Sequence, residues 1–294
     1  MKNQISIHFD GPIAKDHAVD LRTFSKTLEH VQSAIERAYL DVKYGTIWKN
    51  ARLKDEDYKP TSFLMKQTRE GGFITDLLGN KESRPILERI QAAVEPAHEA
   101  ATLFTPKPED RLVDLAENRR KHYNAGAQKP TAYEKLINTP DQRQTQAYGD
   151  RSIVKEFDQI ASAIRARNGD GSFIEIDVYA GRAFPTLVFD GPTSESFHKI
   201  VATRTLGDPV KIPITLRALD SGNGGISKAK ATNLVSGKEF NLHIHTVSGF
   251  GSLKKYLKKR NPPEFNIIAC PVLEYGAFDP LAGDMYLIGI DEDL

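Results

Sequence analysis

The sequence is poor in the residues that define several classes of protein. It has one cysteine, one tryptophan and three methionines in 294 residues. The single cysteine, Cys270, excludes an internal disulfide, and its apolar neighbours at 267–269 predict a buried, unreactive thiol. No stretch approaches the roughly 18 apolar residues of a membrane-spanning helix, and the start of the chain lacks the basic and apolar runs of a leader peptide. We therefore expect a cytoplasmic protein with no membrane partner.

The sequence also lacks an excess of charge of either sign. Forty Lys and Arg residues stand against 39 Asp and Glu residues, which gives a net charge of +1. Such a balance excludes the overall positive field with which many proteins bind nucleic acid non-specifically. Residues 206–294 are balanced as well, with ten basic and ten acidic residues. Any contact with nucleic acid would need a local patch.

Strong catalytic motifs are missing too. The chain has no phosphate-binding loop with its Lys and Ser or Thr, no Gly-x-Ser-x-Gly and no His-Glu-x-x-His. His243 and His245 could ligate a metal from one face of a strand, but no third ligand is identifiable by spacing, and we expect a solvated pair. The sequence thus predicts no catalytic residue, no metal and no cofactor. A metal-dependent hydrolase or nuclease, built from scattered acids and histidines, is the alternative.

The C-terminal part carries the most informative pattern. Alternating apolar residues predict five strands, at 210–219, 226–234, 239–246, 265–275 and 284–290. A basic amphipathic segment at 252–260 predicts one helix between the third strand and the fourth. This order is typical of a small OB-like barrel.

The N-terminal part begins with a predicted strand, in which Ile5, Ile7 and Phe9 alternate with polar residues. A long helix over 16–44 follows, and its apolar residues recur every three or four positions. These residues form a narrow apolar stripe, or seam, along one side of the helix. The seam either packs on the sheet of the same chain or contacts a second copy of the chain. The second interpretation leads us to expect a homo-oligomer. The candidate oligomer seam consists of Leu21, Phe24, Leu28, Val31 and Ile35.

These patterns together predict an α+β fold with two domains. The N-terminal mixed domain, with its long seam-bearing helices, is expected over 1–205, and the five-stranded OB-like β-barrel over 206–294. Residues 123–150 contain few apolar side chains and many Gln, Thr, Asn and Pro, so we expect a long exposed connection there. The tetrapeptide Phe-Asp-Gly-Pro occurs at 9–12 and again at 189–192, which we interpret as shared turn chemistry rather than a duplicated half.

Two loops of the barrel supply candidate binding residues, because in OB folds the corresponding loops flank the binding face. The first loop, at 220–225, joins the first two predicted strands, and the second loop, at 275–284, joins the fourth and the fifth. Aromatic rings there could stack on bases and lysines could contact phosphates, or the rings could simply plug the barrel mouth. The acids in the second loop and the neutral barrel favour a protein partner slightly over nucleic acid. The candidates are Asn223, Lys228, Lys230, Tyr275, Phe278, Asp279 and Asp284.

One resemblance adds to this interpretation. The Phe-Asp-Gly-Pro turn, the long helix containing Ala-Tyr-Leu at 38–40, and the terminal run Cys-Pro-Val-Leu-Glu-Tyr-Gly-Ala-Phe-Asp-Pro-Leu-Ala-Gly-Asp at 270–284 resemble a family of uncharacterised prokaryotic proteins with a C-terminal five-stranded barrel. The resemblance implies the fold and a place in mobile or defence-related gene neighbourhoods, and it implies no catalytic residues. We expect a non-enzymatic, oligomeric binding or assembly protein, with a role in phage–host conflict as a further expectation.

Overall fold

The structure, a computed structural model, describes residues 3–45, 47–66, 72–105, 111–138, 147–222, 227–258 and 261–291. The chain forms two compact units. The sheet unit comprises Met1–Pro106 and Tyr148–Ala202, and the barrel unit comprises Lys107–Ala147 and Thr203–Leu294. Residues 111–138, which the predicted boundary placed in the N-terminal domain, therefore belong to the barrel unit. Within the described ranges, no helix is long and apolar enough to cross a membrane.

The helices and strands follow one another in a mixed order. In sequence they are β1 (Asn3–Asp10), α1 (Leu21–Tyr44), β2 (Leu64–Met65), β3 (Phe73–Leu78), α2 (Arg84–Thr102), α3 (Leu112–Asn124), β4 (Thr131–Ala132), α4 (Tyr133–Asn138), α5 (Tyr148–Arg165), β5 (Phe173–Ala180), β6 (Leu187–Phe189), α6 (Gly191–Ala202), β7 (Arg204–Leu206), β8 (Val210–Asp220), β9 (Ser227–Asn233), β10 (Glu239–Ile244), α7 (Val247–Lys254), β11 (Glu264–Glu274) and β12 (Met285–Asp291).

The sheet unit is an antiparallel sheet with helices packed on one face. Its strand order is β2-β3-β1-β5-β6. Ile5, Ile7 and Phe9 alternate along β1 and are buried on the helix side, where Phe24 of α1 meets Phe9 edge to face. Helices α1, α2, α5 and α6 pack against one another there. The alternation read from the sequence therefore marks the apolar face of this sheet.

Helix α1 begins at Leu21, the first residue of the seam, and not at the predicted residue 16. Asp20 caps it by accepting hydrogen bonds from the backbone N–H groups of residues 22 and 23, and Gly45 ends it in the left-handed region with φ 68°. Val31 and Ile35 are each 1% exposed, buried in the core of the sheet unit, whereas Leu21 is 78% exposed. Phe24 and Leu28 are half-buried. Packing along its own unit is thus the interpretation that holds for Val31 and Ile35, which are not available to a second copy.

A buried carboxylate holds the segment after α1 in place. Asp57 has no exposed side-chain surface, and it accepts hydrogen bonds from the Lys43 ammonium, the Tyr39 hydroxyl and the Lys54 backbone N–H. Burial alone would raise the pKa of Asp57, but these donors outweigh it and lower the pKa to about 2. Asp57 therefore fixes residues 54–57 against the last two turns of α1.

The barrel unit has the strand order expected of an OB-like barrel. Strands β8, β9, β10, β12 and β11 are neighbours in that order, and pairing of β11 with β8 closes the ring. Only β10 and β12 run parallel within this ring, and α7 lies between β10 and β11 in sequence. The predicted α+β class with a C-terminal five-stranded barrel is confirmed. Helix α7 begins earlier than the predicted 252–260, because Thr246 caps its first turn through the Gly249 N–H, and it ends at Lys254.

The stretch predicted as an exposed connection is partly built into the barrel unit. Strand β4 pairs in parallel with the start of β8, and Tyr133 directly after it is 1% exposed in the barrel core. The Tyr133 hydroxyl donates to the carbonyl of Pro280 at 3.0 Å. The composition of 123–150 concealed this role because α4 buries only Tyr133 fully, with Leu136 and Ile137 partly buried beside it. Residues 139–146 of the predicted connection lie outside the described residues.

The two copies of the Phe-Asp-Gly-Pro tetrapeptide occupy equivalent positions in the sheet unit. Phe9 of β1 and Phe189 of β6 pair with Ile174 of β5 from its two sides, so both Asp-Gly-Pro turns lie at the same end of the sheet. Asp10 accepts a hydrogen bond from the N–H of residue 11, and Asp190 accepts one from that of residue 193. Both turns lead into helical segments, as shared turn chemistry requires.

Replacing Asp57 with Asn should lower the free energy of unfolding by on the order of 1–3 kcal/mol, because the Lys43 ammonium loses a buried charged partner. The folded-state pKa of about 2 lies below the ordinary 3.8, so this stabilisation is complete above about pH 4 and is lost as the pH falls towards 2. Denaturant unfolding of wild type and variant should therefore converge on acidification. Asp55→Asn, which changes an exposed acid in the same turn, is the control; a D57N protein as stable as wild type at neutral pH contradicts the assignment.

Truncating Tyr133 tests whether residues 131–138 belong to the barrel core. Tyr133→Ala should cost about 3–5 kcal/mol of unfolding free energy, as for other buried aromatics. Tyr133→Phe should cost only about 1 kcal/mol, since it removes one hydrogen bond and keeps the ring. Tyr58→Ala, at a side chain that is 60% exposed, is the comparison in the sheet unit. Equal stability of the Tyr133 and Tyr58 alanine variants would show that the segment is dispensable.

Candidate binding face of the barrel

Alternation along two neighbouring strands divides their side chains between the barrel core and its outside. On β10, Phe240, Leu242 and Ile244 are buried in the core, so the residues between them point outward. The register pairs Lys228 with His243 and Lys230 with Asn241 across the two strands. We call this surface the β9–β10 face; it consists of Lys228, Lys230, Thr232, Glu239, Asn241 and His243.

A carboxylate from the second loop joins this face. Asp284, directly before β12, accepts hydrogen bonds from the Asn241 side-chain amide at 3.1 and 3.2 Å. The His243 Nε2 atom lies 3.6 Å from the same carboxylate, and the ring stacks on Tyr286 at 6.0 Å between centroids. The amide and the carboxylate thus fix one another beside the imidazole.

Two cations on the face are unpaired. Lys228 and Lys230 are exposed, and neither ammonium group has an ionic partner among the described residues. By contrast, Arg217 of β8 pairs with Glu239 at 3.3 Å, and both side chains are more than half exposed. The face therefore offers two free positive charges next to the polar group of Asn241, His243 and Asp284.

The remaining candidate residues of the second loop are structural parts of that loop. Phe278 is 6% exposed and packs in the barrel core, as the plug interpretation predicted. Asp279 is 3% exposed and accepts hydrogen bonds from two backbone N–H groups, of residues 281 and 282. Tyr275, with φ 52°, and Gly276, with φ 67°, form the tight turn after β11. Phe278 and Asp279 are thus buried within the loop and the barrel core, and Asn223 lies outside the described residues.

Helix α3 covers another part of the barrel's outside. Its Ala116 is fully buried against Ile268, Cys270 and Ile288 of β11 and β12. Arg120 reaches the strands and donates a hydrogen bond to His245 Nε2 at 3.1 Å. The expectation of a solvated histidine pair is therefore wrong: both rings point outward, but α3 covers His245, and the His243 side chain is only 18% exposed.

Metal and nucleophile chemistry find no preformed site in the described ranges. No three His, Cys, Asp or Glu residues are arranged there to hold a metal. His8, His30 and His198 each contact a carboxylate, and within the same ranges no histidine is bonded to a hydroxyl or thiol. An open pocket of about 240 Å³ in the sheet unit includes Arg165, whose guanidinium already pairs with Asp158.

Sequence reasoning found the two lysines and Asp284 but missed Asn241 as part of the same group. The alternation of β10 was sufficient to place Asn241 outward beside His243. The approach of Asp284 was not readable, because it depends on the parallel pairing of β12 with β10 across the closed barrel. Asp284 was a candidate from the sequence only because it is one of the acidic residues of the second loop.

Comparison with other proteins assigns no family. No protein-family model matches the chain, and no curated protein matches it. A solved structure of a mutant of the ferredoxin protease FusC in complex with Arabidopsis ferredoxin aligns with a TM-score of 0.15 and 9% identity, over 82% of this chain and 28% of that chain. The chain thus spans less than a third of the length of that protein, and a score this low shows no common fold.

Gly283 should tolerate no side chain, because the second loop closes over the Phe278 plug. A Cβ atom there would collide with the Phe278 ring and lie 2.6 Å from the Asp279 carbonyl oxygen. We expect Gly283→Ala to lower the free energy of unfolding by about 1–3 kcal/mol, as overpacking does. Gly251→Ala, where a Cβ meets nothing within 4 Å, is the matched control and should be neutral or stabilising. Equal melting curves for the two variants would disprove the packing argument.

Proposed function

We propose that this chain is a non-enzymatic binding protein and that the β9–β10 face is the surface with which its barrel engages a protein partner. The observation that carries the proposal is the pair of lysines on this outer face, Lys228 and Lys230, which have no ionic partner in the part of the chain that the structure describes. In OB folds the second and third strands and the adjoining loops form the ligand-binding surface. Asn241, His243 and Asp284 add hydrogen-bonding groups in fixed positions beside the lysines.

A protein partner is favoured over nucleic acid by the chemistry of the face. Single-stranded nucleic acids are bound through aromatic side chains on which bases stack, together with a positive groove. The outward residues of β9 and β10 include no Phe, Tyr or Trp. The candidate ring of Phe278 is in the barrel core instead. Glu239 and Asp284 place negative charge next to the lysines, which suits a partner with mixed charge better than a phosphate backbone.

The other parts of the expected function stay predictions. Self-association would have to use exposed residues such as Leu21, since Val31 and Ile35 are in the core of the sheet unit. A hydrolase or nuclease would use the contact between His243 and Asp284, which is the imidazole–carboxylate contact on the proposed face. The cytoplasmic location and the role in phage–host conflict likewise rest on the sequence and its resemblance.

Reversing the charge of the two lysines tests the proposed face. Immobilised wild-type chain, a K228E/K230E variant and a K254E/K258E control should be exposed to nuclease-treated lysate of the source cell, and the captured proteins quantified. The control carries the same change of charge on and after α7, at two exposed lysines that are not among the six residues of the face. We expect wild type and control to retain the same proteins and the face variant to lose at least nine-tenths of them, because two cations of the contact become anions.

The salt dependence of the same capture separates the two partner classes. A protein partner should survive a rise from about 0.05 to about 0.2 M salt with a modest loss, whereas a complex built on several phosphate contacts loses a factor of about 1,000 or more. Retention that is equal for all three proteins would show that the face is not the binding surface. A parallel capture from untreated lysate completes the test: proteins retained from untreated lysate and lost from nuclease-treated lysate would assign the face to nucleic acid.

A further inference from the structure

Helix α3 covers an apolar patch on the outside of the barrel, and few side chains of α3 are themselves buried in this contact. The patch beneath it consists of Leu206, Ile268, Cys270, Val272, Tyr286 and Ile288. From α3, only Ala116 is fully buried, and Leu112, Leu115 and Tyr123 are partly buried around it. Because an alanine buries little apolar surface, the hydrophobic contribution of this contact is modest. The polar contacts of α3 with the strands therefore carry more weight than usual.

Arg120 makes polar contacts with backbone carbonyls of β12 that are not paired with β10. The pairing of β10 with β12 stops at His243 and Tyr286, so the next residues of β12 have no β10 partner on that side. The Arg120 guanidinium donates hydrogen bonds there, to the carbonyls of Leu287 at 3.1 Å and Ile288 at 2.9 Å. Its third hydrogen bond goes to His245 Nε2 at 3.1 Å. One side chain thus fastens α3 to both strands.

The hydrogen bond to His245 requires a neutral imidazole. A guanidinium can only donate, so Nε2 must accept and the ring proton must be on Nδ1. That Nδ1 atom is buried without a hydrogen-bond partner in the described part of the chain, and so is the Tyr286 hydroxyl beside it. Protonation of Nε2 would remove the acceptor and place two cations against each other.

The surrounding charges decide how readily His245 takes a proton. Burial and the Arg120 guanidinium lower the pKa of His245, and Glu117 on α3 opposes them. Tyr286 of β12 stays neutral because burial raises its pKa. His243 lies on the same strand face, with its contact to Asp284 on the far side. The balance favours a neutral His245 while α3 is in place.

We infer that α3 is a pH-sensitive cover, which protonation of His245 releases from β12 and which then exposes the apolar patch around Cys270. With α3 released, His245 is solvated and titrates near its ordinary pKa of 6.5. The open state therefore binds a proton more readily than the closed state. Its population rises as the pH falls below 6.5, by up to about tenfold per pH unit. This inference does not depend on the partner proposed above.

Cys270 provides the measurement, because it is the only cysteine of the chain and lies under α3. The rate of its reaction with a dithiodipyridine should be measured for the full chain between about pH 7.5 and about pH 5, the range over which histidines switch. Each rate is divided by that of the denatured chain at the same pH, which removes the intrinsic pH dependence of the thiol. Near-ultraviolet circular dichroism in parallel reports whether the chain is still folded. We expect the normalised rate to rise at least tenfold while the spectrum stays native.

Two matched variants assign the effect to one ring. His245→Gln keeps an acceptor for Arg120 but does not titrate, so its normalised rate should be the same at both ends of the pH range. His122→Gln changes an exposed histidine on α3 itself, which has no hydrogen bond to Arg120, and should behave as wild type. A flat rate in wild type, or an equal rise in the H245Q variant, would overturn the inference.

Hydrogen exchange of the wild-type chain decides the matter if a variant does not fold. The amides of α3, corrected for intrinsic exchange, should lose protection on acidification by a similar factor to the gain in Cys270 reactivity. The amides of β8 and β9 should keep theirs over the same range. Loss of protection throughout the barrel would mean general unfolding rather than release of a cover, and it would disprove the inference.

Discussion

Closure of the five-stranded ring is the constraint on which the barrel unit depends. Pairing of β11 with β8 leaves no free edge in the ring, and it forces every strand to put alternate side chains into a shared core. Phe240 and Leu242 take inward positions on β10, so Asn241 and His243 must lie outside. The chemistry available to this unit is therefore whatever the outward positions carry. Apolar packing inside thus decides which polar residues face outward.

The outside of the ring is divided by what lies over it. Helix α3 covers β11 and β12, where Ile268 and Ile288 would otherwise expose apolar surface, and the β9–β10 face carries exposed lysines. The division follows the physical chemistry of the two surfaces, since apolar groups gain by burial and free ammonium groups lose by it. Arg120 marks the boundary, because it satisfies carbonyls of β12 where pairing with β10 has stopped.

Particular residues show how far sequence patterns reach. Strand β1 and the succession of barrel strands along the chain were predictable from side-chain periodicity. A fold that broke this periodicity would expose apolar side chains of its core. The apolar seam of α1 was equally visible in the sequence. The same spacing of apolar residues occurs in a helix that packs on its own sheet and in one that faces a second copy of the chain. The burial of Val31 and Ile35 distinguishes the two cases. Phe278 fitted either a binding ring or a plug for the same reason, and its burial shows the plug.

The sequence by itself determined the α+β class, the five barrel strands, the inward and outward sides of β10 and the absence of strong catalytic motifs, because these depend on local periodicity and residue type. Tertiary structure alone decided that residues 111–138 belong with the barrel, that Asp284 meets Asn241, and that Arg120 meets His245. Each of these contacts joins residues from separate segments, and their closeness depends on barrel closure and strand register. Local patterns carry no information about such distances, since many arrangements satisfy the same periodicity.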